Sequence, residues 1–72
     1  MDNILTSREL QIERKHFFIE FRENARGRFL RITEEAHGHR NSVIVPSTGI
    51  DDFLLAMQEV VGEANSTPAQ VF

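Results

Sequence analysis

The sequence predicts an α+β fold, in which a four-stranded antiparallel sheet is followed by one helix. Residues 4–45 alternate between apolar and polar side chains and are interrupted by turn-forming residues, a pattern typical of strands. Residues 50–61 carry apolar side chains at helical spacing instead. With 72 residues and no cysteine, the chain forms at most one small domain without disulfides, and such a domain buries little surface by itself.

The weakest alternation in the front half lies in residues 4–13, where Leu10 and Ile12 are separated by polar residues. We interpret this segment as the first strand.

The clearest alternation lies in residues 15–24, KHFFIEFREN, which predict the second strand. Phe17, Ile19 and Phe21 share one face of it, because side chains alternate across a strand. The opposite face of this strand carries His16, Phe18, Glu20 and Arg22.

A hairpin is predicted to connect this strand to a third. Asn24 is favoured at a turn entry and Gly27 is free to take a positive φ, so the chain is expected to reverse there as in three-residue hairpin loops. The returning strand, residues 28–34, places Leu30 and Ile32 on the apolar face of the sheet.

The remaining strand is predicted to be short. Residues 35–41, EAHGHRN, are interpreted as a polar loop with Gly38 at its centre. Residues 42–45 form the fourth strand, which Pro46 ends because proline lacks the backbone donor.

The rear of the chain predicts an amphipathic helix whose apolar stripe lies in the core or in a dimer interface. Thr48 and Asp51 resemble a capping box at its start, and Gly62 is expected to end it. Residues 1–63 are then the folded unit and residues 64–72 a flexible tail. The stripe consists of Ile50, Phe53, Leu54, Met57, Val60 and Val61.

Charge is distributed unevenly along the chain. All eight basic residues lie within residues 8–40, together with six acids, whereas the rest of the chain holds five acids and no base. A basic front half favours a surface that meets a polyanion, and nucleic acid is the natural candidate.

Several other classes of function find no support in the sequence. We expect no enzyme, because there is no cysteine, no glycine-rich phosphate loop and no acid–base constellation. His37 and His39 lack a third ligand nearby, so neither a metal nor another cofactor is expected. No membrane span and no signal peptide is recognised, and we expect a cytoplasmic protein that acts on no small-molecule substrate.

Residues 17–32, FFIEFRENARGRFLRI, resemble the signature of the PUR repeat of purine-rich-element-binding (Pur-alpha type) proteins. The resemblance covers about residues 5–63, and the predicted strand and helix order is also that of the repeat. It implies binding of single-stranded DNA or RNA, often purine-rich, by a regulator of transcription or translation, with the nucleoid as an alternative location.

The resemblance also implies an intertwined homodimer. Two repeats of this family interleave their helices and sheets, and this chain holds one repeat, as bacterial single-repeat relatives do. A partner chain also agrees with the small core expected from the length. Family members tend to carry an asparagine between their first two strands that contacts nucleic acid, whereas Arg14 occupies that position here.

Binding of single strands requires cations for phosphates and flat rings for bases. An alternative stays open for each group: Phe18 and Phe29 are either exposed for stacking or buried under a partner chain, and Arg22 and Arg31 either meet phosphates or pair with Glu20 or Glu34. The alternative function is a protein-interaction dimer that binds no nucleic acid. The expected nucleic-acid-binding residues are Arg14, Lys15, His16, Phe18, Arg22, Arg28, Phe29 and Arg31.

Overall fold

The structure, a computed structural model, describes residues 2–65 of the chain. It confirms the α+β fold of four antiparallel strands followed by one helix. The strands lie in the order of the sequence, so that each pairs only with its chain neighbours. The elements are β1 (Asn3–Ile12), β2 (Lys15–Asn24), β3 (Gly27–Ala36), β4 (His39–Pro46), a 3-10 turn (Ser47–Gly49) and α1 (Ile50–Ala64).

The prediction of a polar loop for residues 35–41 is wrong, because β3 and β4 both extend into this segment. Their ladder continues to the pair Ala36 and His39, which leaves only His37 and Gly38 as the turn. Both turn residues have positive φ, 52° and 77°, the requirement of a two-residue type I′ hairpin.

The turn between β2 and β3 is also tighter than predicted. Asn24 pairs directly with Gly27, so two residues form the loop instead of three. The backbone N–H of Arg26 donates to the Asn24 side-chain oxygen at 2.9 Å. Gly27 takes a φ of 132°, which L residues rarely adopt.

The register sorts the side chains into two faces as the alternation predicts. Ile19 lies opposite Ile32, and Phe21 lies opposite Leu30. A bulge at Leu5 interrupts the pairing of β1 with β2. We call the side of the sheet that these residues share the apolar face; its members are Leu10, Ile12, Phe17, Ile19, Phe21, Leu30, Ile32, Val43 and Val45. The opposite side, the polar face, carries Glu9, Gln11, His16, Phe18, Glu20, Arg22, Phe29, Arg31, Thr33, Glu35, Arg40, Ser42 and Ile44.

Both helix ends differ from the prediction. The N-cap of α1 is Gly49, which has no side chain to cap the helix. Thr48, the predicted capping residue, belongs to the preceding 3-10 turn. Gly62 lies inside α1, which continues to Ala64. The expected tail therefore begins after the helix, and its residues 66–72 lie outside the described part of the chain.

The helix does not pack across its own sheet. It approaches the strands only near β4 and the turn that follows it, and the protomer is 16 Å thick in its thinnest direction. No apolar residue within residues 2–65 is buried, and the apolar stripe of α1 lies exposed from Leu54 to Val61. The single protomer thus has no hydrophobic core.

Two glycine substitutions should change stability in opposite directions. An added Cβ at Gly27 or Gly62 meets no atom within 4 Å, so only the backbone conformation matters. We expect Gly27→Ala to destabilise the fold by about 1 to 3 kcal/mol, because its φ disfavours L residues. Gly62→Ala should stabilise the fold by up to about 1 kcal/mol, because alanine favours helices. Urea unfolding followed by circular dichroism measures both, and equal effects would contradict the assigned turn.

Candidate nucleic-acid interface

Arg22 is held in place on the polar face, toward the turn between β2 and β3. Its Nη1 donates to Glu20 Oε1 at 2.8 Å, and its Nε lies 3.7 Å from Asp2 Oδ2. The side chains of Arg22 and Glu20 are only 16% and 21% exposed. The pairing considered for Arg22 is therefore present, and this cation is largely neutralised by its neighbours.

Arg31 differs from Arg22 in having no such partner. It lies opposite Glu20 in the register, yet it forms no ion pair within residues 2–65. Its Nε, like that of Arg22, is buried and makes no hydrogen bond to those residues. The difference is the charge: Arg22 pairs with Glu20 and Asp2, whereas the half-buried guanidinium of Arg31 is not neutralised by a carboxylate and attracts an anion.

Phe18 belongs to a stack of three flat groups near one end of the polar face. Its ring centroid is 4.4 Å from that of His16, with 33° between the planes. The Arg40 guanidinium carbon lies 5.2 Å from the Phe18 centroid, a cation–π distance. Sequence reasoning missed Arg40 because it assigned this residue to a loop. The alternation of β4, once extended to His39, places it on the polar face.

Phe29 lies toward the other end of the polar face. Together with Ile44 and Pro46 it lines a cleft of about 390 Å³ that is mainly apolar. The β2–β3 turn, with Arg26, forms part of the cleft's edge. Both aromatic rings are half-buried in the protomer, and each has at least one partly open side.

The cations expected at the strand ends lie in different places. Lys15 and Arg28 are on the side of the apolar face, where they pair with Glu34 at 2.8 Å and Glu23 at 2.9 Å. Arg14 is exposed in the β1–β2 turn and pairs with nothing in the described part of the chain. On the polar face and in the turns beside it, the cations that pair with no carboxylate of residues 2–65 are therefore Arg31, Arg14 and Arg26.

Two other kinds of site find no support between residues 2 and 65. No group of three histidine or carboxylate side chains is close enough to hold a metal ion. None of the helices there has the length and apolar character needed to cross a bilayer.

Comparisons with known proteins agree with the resemblance carried by the β2–β3 hairpin. The profile of a family described as "PurA ssDNA and RNA-binding protein" matches residues 2–69. The chain is also 48% identical over 50 residues to a protein of Arabidopsis thaliana called Transcription factor Pur-alpha 1. The match covers 69% of this chain but only 17% of the plant protein, so the two differ greatly in length.

The partly buried Arg22–Glu20 pair should contribute more to stability than the exposed Arg28–Glu23 pair. We expect Arg22→Ala to lower the free energy of unfolding by about 1 to 3 kcal/mol, because it leaves a half-buried carboxylate without its donor. Arg28→Ala should change it by less than about 1 kcal/mol, as exposed pairs do.

Urea denaturation of Arg22→Ala, Glu20→Ala and the double variant that combines them measures the coupling, with Arg28→Ala as the exposed comparison. Additive effects of the two substitutions would show that the pair contributes nothing.

Proposed function

The chain belongs to the PurA family of single-stranded DNA- and RNA-binding proteins, and we propose that it binds single strands across its polar face as a homodimer. The observation that carries this proposal is the arrangement of Phe18, Arg31 and Phe29 on one side of the sheet. It combines a cation with an unsatisfied donor and two rings, the groups that sequence-tolerant binding of single strands requires. We propose a regulatory rather than a catalytic role.

The two rings suit different parts of one bound strand. Phe18 lies opposite Thr33 and Phe29 lies opposite Arg22, so the rings are about 13 Å apart along the strand direction. Bases stacked on each ring would contribute about 1 to 3 kcal/mol apiece. Arg31 lies between them and, without a carboxylate partner among residues 2–65, would attract a phosphate of the connecting backbone. A preference for purine-rich strands fits this arrangement, because larger bases cover more of each ring.

A second copy of the chain is the partner that we propose for the apolar face. The protomer exposes 6313 Å², whereas a compact protein of 8.3 kDa exposes about 4,600 Å². The excess of about 1,700 Å² per chain lies in the range of obligate dimer interfaces.

The protomer also offers two apolar surfaces that need cover. One is the apolar face of the sheet, and the other is the stripe of α1 from Leu54 to Val61. An exchange in which the helix of each copy lies on the sheet of the other would bury both at once. The polar face would then remain open to nucleic acid on each protomer.

The salt dependence of binding tests the role of Arg31. Each phosphate neutralised on a single strand contributes about −0.7 to the slope of log affinity against log salt concentration. We expect Arg31→Ala to make the slope less steep by about that amount, whereas Arg28→Ala, which lies on the other side of the sheet, should leave it unchanged.

Fluorescence anisotropy with a purine-rich oligonucleotide at several salt concentrations gives these slopes. A nearly flat slope for the unmodified protein would favour the protein-interaction module instead, because docking of a protein releases few counterions.

Light scattering tests the homodimer. We expect twice the 8.3 kDa of one chain, and we expect Val60→Glu to abolish the dimer because it places a charge on the exposed stripe. Asp52→Glu on the same helix is the matched control, since it keeps the charge of an exposed position. A folded, stable monomer of 8.3 kDa would contradict the proposal.

A further inference from the structure

All three histidines of the chain lie at one end of the sheet. The β1–β2 turn, with Arg14, and the β3–β4 turn, with His37 and Gly38, share this end because alternate turns of a meander lie on the same side. His16 begins the ladder of β2 with β3 here, and His39 begins β4. The sequence pattern predicts a polar loop for His37 and His39, whereas the fold brings them to the end of the sheet that also carries Arg14 and Arg40.

These residues line one polar cleft of about 410 Å³, a volume within the range of small-ligand pockets. Its two arginines and one glutamate give the lining a formal charge of +1 while the imidazoles are neutral, and protonation of all three raises it to +4. The lining consists of Gln11, Arg14, His16, Glu35, Ala36, His37, Gly38, His39 and Arg40.

Two carboxylates moderate this charge. Glu9 Oε2, from β1, lies 3.6 Å from His16 Nε2, and Glu35 Oε2, from β3, lies 3.5 Å from Arg40 Nε. Glu13 shares the turn with Arg14 but is not part of the lining. The side chains of Arg14, His37 and His39 have no hydrogen bond or ion pair with any residue from 2 to 65. The cleft therefore keeps donors that no carboxylate of the protomer satisfies.

The turn presents the imidazole of His37 at the cleft. Its φ is 52° and glycine follows it, a setting in which asparagine is preferred and histidine is among the enriched residue types. His37 is exposed and belongs to the lining of the cleft.

From this cluster we infer that the cleft binds a backbone phosphate of the single strand and that protonation of its histidines strengthens the binding. The inference rests on the proposed function, since the phosphate belongs to a strand that crosses the polar face. Arg14 supplies a permanent charge, and His16, His37 and His39 add charge when they are protonated. Because the charged imidazoles favour the anion, the bound phosphate favours their protonation in return, and binding takes up protons.

The matched variant for this inference is the double substitution His37→Asn with His39→Gln. It removes two imidazoles and creates the asparagine–glycine pair that a type I′ turn prefers, so the turn is retained. Arg31, Phe18 and Phe29 stay in place, and so does the remainder of the proposed interface.

The experiment measures the Kd of one fluorescent purine-rich single strand at pH 5.5 and pH 7.5 and at constant ionic strength. We expect the unmodified protein to bind the strand about tenfold more tightly at pH 5.5 than at pH 7.5. A factor of this size is typical of the coupling between two binding equilibria, here those of the strand and of protons. The double variant should lose most of this gain, so the ratio of the two Kd values is the readout. Protonation of the nucleic acid bases affects both Kd comparisons equally, because both proteins are tested with the same strand.

Calorimetry in buffers of different ionisation enthalpy gives an independent readout, the number of protons taken up on binding near pH 6.5. Uptake by the unmodified protein and its loss in the variant support the phosphate site. Equal pH dependence in the two proteins, or strong binding without proton uptake, overturns the inference and leaves the proposed function intact. Absence of saturable binding at both pH values overturns both.

Discussion

The burial of apolar surface is the constraint on which this fold depends, and residues 2–65 of a single protomer leave it unmet. The sheet is a single layer, the helix extends away from it, and no apolar residue among those described is buried. The chain has no cysteine for a disulfide, so the second copy that we propose would supply the missing cover. In such a dimer folding and assembly would be one event, and the concentration of the chain would set its stability.

The same alternation that builds the apolar face also decides which charges reach the polar face. Lys15 and His16 are neighbours in sequence but lie on opposite sides of the sheet, as do Arg28 and Phe29. On the apolar side Lys15 and Arg28 are paired with glutamates, whereas Arg31 on the polar face has no carboxylate partner among residues 2–65. Attraction for a polyanion is thus restricted to a few positions, in a chain whose net charge is −3.

The periodic features of the sequence predicted most of the architecture. The bounds of β2, the pairing of Ile19 with Ile32 and the presence of α1 all follow from the spacing of apolar residues. The tight turn at His37 was missed because the polar run of residues 35–41 lacks the apolar alternation that marks the ends of β3 and β4. That error shortened β4 and concealed Arg40. The choice of Glu20 as the partner of Arg22 depends on side-chain conformation, which periodicity does not encode.

The bulge at Leu5 affects how the open edge of the sheet behaves. β1 is an outer strand with free backbone groups along one side, and a regular edge of this kind invites further strands to add. The extra residue breaks the even spacing of those groups and twists the strand where two exposed apolar side chains, Ile4 and Leu5, stand next to each other. An edge with this irregularity is a poorer template for an added strand than a regular one, and the four strands remain paired across the sheet.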